Sequence, residues 1–190
     1  GWALARLPWR TGWPPHWLDP LLGWLAVDGY GFHAGYFYWR RYVRAQAKPV
    51  HLFGYAGQVF DQGLGRSLWF VEGADVTKIS HTIATFPSTR HADLWSGVGL
   101  ACAYAGGVDE SQIVTLHTAA GSHQPCLAQG AAFAAKARQR AGNPTDHTAL
   151  ACAILCGLSA DAAAGVTDTA LKDLPPDGSA SRDGHPLGAA

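Results

Sequence analysis

From Val59 onward the apolar side chains fall at helical spacing. Phe60, Leu64, Leu68 and Val71 recur at i, i+4, i+8 and i+11, one face of an α-helix. Leu94, Val98, Ala101 or Cys102, and Ala105 repeat the pattern, and Gly106-Gly107 marks its end. Asp109 followed by Gln112 has the form of a capping box, opening a helix that contains Ile113 and Leu116. Pro125 suits the first turn of a helix through Leu127, Ala131, Ala134 and Arg138, stopped by Gly142-Asn143-Pro144. Thr145 or Asp146 caps the next, through Leu150 and Ile154 to Gly157. Ser159 opens a last one, reaching about Leu171.

Residues 1–58 read differently. Six of the eight tryptophans lie here: Trp2, Trp9, Trp13, Trp17, Trp24 and Trp39. A short helix is expected over Gly1 to Leu7, broken at Pro8, and Pro14-Pro15 forces an extended turn. Asp19 makes an N-cap, with Pro20 at the first helical position and Leu21, Leu22, Trp24 and Leu25 following. The stretch from Asp28 to Phe37 reads as a loop, because Gly29, Gly31 and Gly35 punctuate its aromatics. The pattern therefore predicts a mainly α fold: helical hairpins packed as a bundle or short αα array, with an aromatic-rich irregular N-terminal lobe.

Three regions follow: a lobe over 1–58, a helical region over 59–172 and a disordered tail over 173–190, whose Pro-, Gly- and Ser-rich composition carries little apolar mass. Leu100-Ala101-Cys102-Ala103 returns as Leu150-Ala151-Cys152-Ala153, each copy followed by a glycine and a capping residue. This echo suggests an internal αα repeat, with coincidence in an Ala-rich chain as the alternative. The opening at Gly1 and the absence of methionine from 190 residues suggest a piece of a longer protein, its lobe part of a domain truncated at its N-terminus.

Charge narrows the function. Formal net charge is zero and 15% of residues are charged, which argues against a nucleic-acid footprint. Lys and Arg together number 14, and ten of them are Arg, the usage of a GC-rich, for instance actinobacterial, genome. No stretch reads as a membrane span, since Leu18 to Tyr38 is interrupted by Asp19, Pro20, Asp28 and His33. Cys102, Cys126, Cys152 and Cys156 read as reduced thiols. Cys152 and Cys156 share a helix face with Cys102 on a matching helix, yet mid-helix thiols among alanines are not the short loop knuckles of a zinc site. No metal is expected. Nucleophile, P-loop and dinucleotide signatures are absent, and no cofactor is indicated.

The remaining chemistry lies in polar residues within apolar surroundings. Asp28 and His33 flank the aromatic stretch. Asp61 and Arg66 open the first long helix, with Glu72 and Asp75 at its far end, and Arg90 and Asp93 precede Leu94. Brought together, the six candidates Asp28, His33, Asp61, Arg66, Arg90 and Asp93 would form an acid–base or substrate-anchoring site with perturbed pKa values. The plainer alternative is that Asp61 and Asp93 cap helices while Arg66 and Arg90 pair with them. The aromatics beside them suit an elongated, unsaturated or polycyclic ligand, or serve simply as core.

Several of these runs carry a resemblance: Gly1 to Arg6, Asp28 to Phe37, Phe60-Asp61-Gln62-Gly63-Leu64-Gly65-Arg66-Ser67-Leu68-Trp69-Phe70, Asp93 to Ala101, Leu127 to Phe133, and His147 to Cys156. Together, over about residues 1–172, they resemble the C-terminal part of the UnbL-like, DUF1702-type family encoded beside enediyne polyketide synthases. The resemblance implies an accessory protein of enediyne biosynthesis that binds or helps convert a polyene. It implies work alongside two accessory proteins, one of them membrane-embedded, and hence a cytoplasmic location with membrane association through a partner. It supplies no catalytic residues. The alternative is a non-catalytic helical interaction module in a biosynthetic complex.

Overall fold

The computed structural model describes residues 19, 21–172 and 174. The short helix expected near residue 1 and the tail beyond 174 lie outside them. Among the described residues there are eight α-helices and no strand: α1 Trp24–Phe37, α2 Tyr55–Val71, α3 Val76–Ala84, α4 His91–Ala105, α5 Glu110–Ala120, α6 Gln124–Ala141, α7 Asp146–Leu155 and α8 Ala160–Lys172.

Their ends follow capping chemistry. Asp19 accepts from the Leu21 and Leu22 amides, ordering the turn that leads into α1. Asp109 and Gln112 form the expected reciprocal box at α5. Ser159 accepts from the Ala162 amide at α8. Helix α6 ends on Gly142 at φ 64°, the left-handed conformation that glycine adopts without steric cost. Helix α3 was not expected: Gly73 and Ala74 at positive φ end the α2 segment, and Asp75 then caps a new helix through the Thr77 and Lys78 amides.

The aromatic stretch 28–37 is helix, not loop. Its glycines act in packing rather than in turning. A Cβ on Gly31 would sit 2.0 Å from the Phe60 carbonyl oxygen of α2, and one on Gly35 would lie 2.0 Å from Ser67 Oγ. Tertiary contact with α2 outweighs the local helix-breaking preference, which costs only about 1 kcal/mol per glycine.

The same close approach recurs along the chain. Helices α1, α2, α4, α6 and α8 pack successively in one layer, while α3, α5 and α7 pack successively in a second. Gly31, Gly65 and Gly99, each 34 residues from the last, face the carbonyls of Phe60, Leu94 and Leu127 on the following helix of the row. Gly63, Gly97 and Gly130 face the carbonyls of Asp28, Gln62 and Ser96 on the preceding helix. Helices α2 and α4 thus each present one glycine backward and another forward, α1 faces α2 through Gly31 and α6 faces α4 through Gly130, while Ala163 and Ala164 on α8 are fully buried. A period of 34 residues is that of helix–turn–helix units stacked in a solenoid. The echo at residues 100 and 150 has a different meaning. It relates α4 to α7, which belong to different layers and meet where Thr148 Oγ1 donates to the Ala103 carbonyl at 2.7 Å.

The core runs between the layers. Phe60, Leu64 and Leu68 on α2, Leu94, Val98 and Cys102 on α4, and Leu127, Ala131 and Ala134 on α6 are all buried. Among the described residues the segment 38–53 takes the second-layer place beside α1: Tyr42, Val43 and Leu52 are buried, and Tyr42 and Tyr30 both pack on Phe60. Fully burying side chains of this size contributes about 1.5–3 kcal/mol each.

Candidate functional site

The core-facing positions fix, by helix geometry, what the first layer turns outward. Two residues on from Phe60, Leu64 and Leu68 lie Gln62, Arg66 and Phe70, about 200° around the helix. The same ridge is Asp28, Phe32 and Tyr36 on α1, Ser96, Leu100 and Tyr104 on α4, and Gln129 and Phe133 on α6. Rows therefore cross the helices in 34-residue register, with α6 one residue short. Asp28, Gln62, Ser96 and Gln129 make a polar row, followed by Phe32, Arg66, Leu100 and Phe133. Tyr36, Phe70 and Tyr104 complete it at the C-terminal end, each between 40% and 45% exposed.

Contacts tie these rows together. Arg66 pairs with the buried Asp28 carboxylate, and its guanidinium lies 4.9 Å over the Phe32 ring. Phe32 stacks on Tyr36 at 5.8 Å and meets Phe70 edge-on at 5.6 Å. Burial pushes the Asp28 carboxyl up, with Arg66 and a Gln62 hydrogen bond opposing. The amide and hydroxyl contacts across the polar row are long, 3.5 Å from Gln62 Nε2 to Asp28 and 3.4 Å from Ser96 Oγ to Gln129, leaving hydrogen-bonding capacity unspent.

A second cluster lies where Arg90 enters α4. Asp61, 1% exposed, accepts from Arg90 Nε at 3.0 Å and Nη2 at 2.5 Å, while Lys48 Nζ reaches it at 2.8 Å. Arg90 also donates to the Gln46 carbonyl and stacks on Phe86. Asp93, in the first turn of α4, feels this group without joining it. Burial, then repulsion from Asp61, pushes its carboxyl up to about 6, against attraction from Lys48 and Arg90. Its field in turn raises Tyr55 and Cys126 beyond what their own burial does.

The six candidates thus divide into two groups. Asp28 and Arg66 form one, Asp61, Arg90 and Asp93 the other, while His33 is buried against Phe37 and Tyr38. Two expectations change. Asp61 and Arg66 sit mid-helix rather than at its start, because α2 begins at Tyr55. Asp61 caps nothing, its oxygens being taken by Arg90 and Lys48. The arginines do pair with aspartates, but Arg66 chooses Asp28 and Arg90 chooses Asp61. Residue-type reasoning passed over Lys48, Gln62, Ser96, Leu100, Gln129 and Phe133. The signal for all but Lys48 was the 34-residue spacing, readable once Gly63-x-Gly65 and Gly97-x-Gly99 are aligned.

No group of three or more His, Cys, Asp or Glu among the described residues is placed to hold a metal ion. Cys152 and Cys156 instead face the carbonyls of Ala131 and Ala128, and burial pushes Cys102 up to about 12. A cavity of about 270 Å³ between α6, α7 and α8 is lined by Arg138, Thr148, Ser159 and Asp161 and by none of the six candidates. No single described helix is long and apolar enough to cross a membrane.

Fold and face together define a two-layer αα-repeat protein with an aromatic and polar outer row. Within that class the chain belongs to the DUF1702 family, described as a protein of unknown function, whose model matches residues 1–182. No curated protein and no solved structure matches it.

Proposed function

We propose that this chain is an accessory protein of enediyne-type polyketide biosynthesis that holds a polyene intermediate across the outward face of the first layer. The observation that carries the reading is the repetition of flat or apolar side chains helix after helix (Phe32, Phe70, Leu100, Tyr104 and Phe133) around a single ion pair. An elongated unsaturated chain needs such a surface: mostly apolar, with few placed polar groups. Holding fits better than turnover. Asp28 and Asp61 are each neutralised by an arginine, which leaves Asp93 as the candidate carboxylate able to move a proton near neutral pH. In the pathway the resemblance implies, partner proteins would supply the remaining chemistry.

A second reading is a non-catalytic docking module for a partner protein. Gln62 and Gln129 favour it, because their accessible amides on two helices of the row match the donors and acceptors of an extended peptide. One titration separates the two. A conjugated tetraene fatty acid, whose emission rises on leaving water, should bind saturably. Leu100→Gln and Phe133→Gln should each weaken that binding about tenfold or more, with helical circular dichroism unchanged. Absence of saturable emission, or indifference to both substitutions, would refute polyene holding. Capture of a pathway partner that Gln62→Ala with Gln129→Ala abolishes would favour docking instead.

A further inference from the structure

At the C-terminal end of α1 the chain runs Tyr36-Phe37-Tyr38-Trp39-Arg40-Arg41-Tyr42-Val43-Arg44. Tyr42 and Val43 are buried, 8% and 5% exposed, and anchor a single π-helical turn over Arg40–Arg44. With those two inward, the rest turns out. Tyr36, Phe37 and Tyr38 are 44%, 49% and 54% exposed, and Arg40, Arg41 and Arg44 are all exposed. Arg44 stacks over Trp39 at 4.8 Å and Arg41 over Tyr42 at 5.4 Å, so the guanidiniums lie against rings. Among the described residues none of these three arginines forms an ion pair. The chain has zero formal charge, yet here three arginines with no ion pair among the described residues stand beside three exposed rings.

Exposed rings flanked by cations on one ordered turn are well-suited to one kind of surface. Tyr and Trp rings prefer the headgroup level of a bilayer, with an apolar body toward the acyl chains and a polar tip in water. Arginine adds attraction to anionic lipid, screened within a Debye length. We infer that the turn 36–44 docks this protein peripherally onto an anionic bilayer, the rings entering the headgroup layer and Arg40, Arg41 and Arg44 meeting lipid phosphates. Tyr36 also touches Phe70, with ring centroids 6.5 Å apart, so the docked turn is continuous with the aromatic end of the outward face. That continuity is a consequence rather than a premise. Membrane docking stands even if the outward face holds something other than a polyene.

The test is flotation of the purified chain with phosphatidylcholine vesicles, with and without phosphatidylglycerol. Binding should require phosphatidylglycerol, fall as salt rises, and drop about a hundredfold in the variant Arg40→Gln, Arg41→Gln, Arg44→Gln. Phe37→Ser with Tyr38→Ser should weaken it at low salt too, where attraction alone persists. A urea melt of each variant confirms folding. Should the arginine variant unfold, the salt dependence of the wild-type chain decides. Equal binding to both vesicle types, no binding to either, unaltered binding by a folded arginine variant, or tighter capture by single-stranded nucleic acid than by vesicles would each overturn the inference.

Discussion

Substituting Gly97 by alanine tests the packing logic of the whole array. A Cβ there would stand 1.9 Å from the Gln62 carbonyl oxygen and 2.5 Å from the Arg66 amide nitrogen, both backbone atoms of α2. No side chain can swing away, so α2 and α4 must part by about 1 Å before the contact becomes tolerable. Parting them loosens Leu64 and Leu68 against Leu94 and Val98. Overpacking of this kind costs about 1–3 kcal/mol, more where backbone must move. Against it stands a gain of about 1 kcal/mol from replacing glycine by alanine within a helix. Because two helix backbones must move, the upper end of the overpacking range applies, and a net loss of about 2 kcal/mol is expected. Gly165 on α8 supplies the control, since nothing lies within 4 Å of a Cβ built there. Gly165→Ala should stabilise by up to about 1 kcal/mol. Urea denaturation followed by helical circular dichroism reads both changes. If Gly97→Ala proved neutral or stabilising, glycine-mediated backbone contact would not be what sets the spacing of the row.

Other outcomes follow from the polar clusters. Removing Arg90 as Arg90→Leu leaves Asp61 buried with only Lys48, and should cost about 3 kcal/mol or more in the same melt. The Asp93 carboxyl should titrate near 6 by carbon-detected NMR. Because its folded value lies above the ordinary 3.8, its contribution to stability is complete below about 4 and is lost as pH rises through about 6. Asp93→Asn should therefore remove that pH dependence and stabilise the protein at neutral pH. A midpoint near 4, or an unchanged stability profile in the variant, would refute the assignment. Alkylation of the folded chain should reach Cys126 and Cys156, which are partly exposed, well before the buried Cys102 and Cys152. Mass mapping of modified peptides would show the opposite order if the thiols were arranged differently.

The helices from α4 onward were legible because they stand on amphipathic spacing and strong punctuation: Asp109 with Gln112, Gly142-Asn143-Pro144 and Ser159 act locally and mean the same thing in any fold. Helix α1 was not legible. Gly29, Gly31 and Gly35 carry one signal, absence of a side chain, that serves turning and close packing equally, and only α2 decides between them. Asp61 and Arg90 were recognisable as unusual, yet their partnership spans 29 residues and depends on the angle at which α4 meets α2. Lys48 had no signal at all. It lies in an irregular segment and acquires meaning only by reaching Asp61.

A row assembled at a fixed step behaves as a ruler. Each added helix–turn–helix unit would lengthen the outward surface by one interaxial distance, about 8–10 Å, without altering the rungs already in place. Relatives with a different number of units should then accommodate partners of different length. A single-residue insertion inside one helix would instead rotate its ridge by about 100° and break the line of rungs at that point.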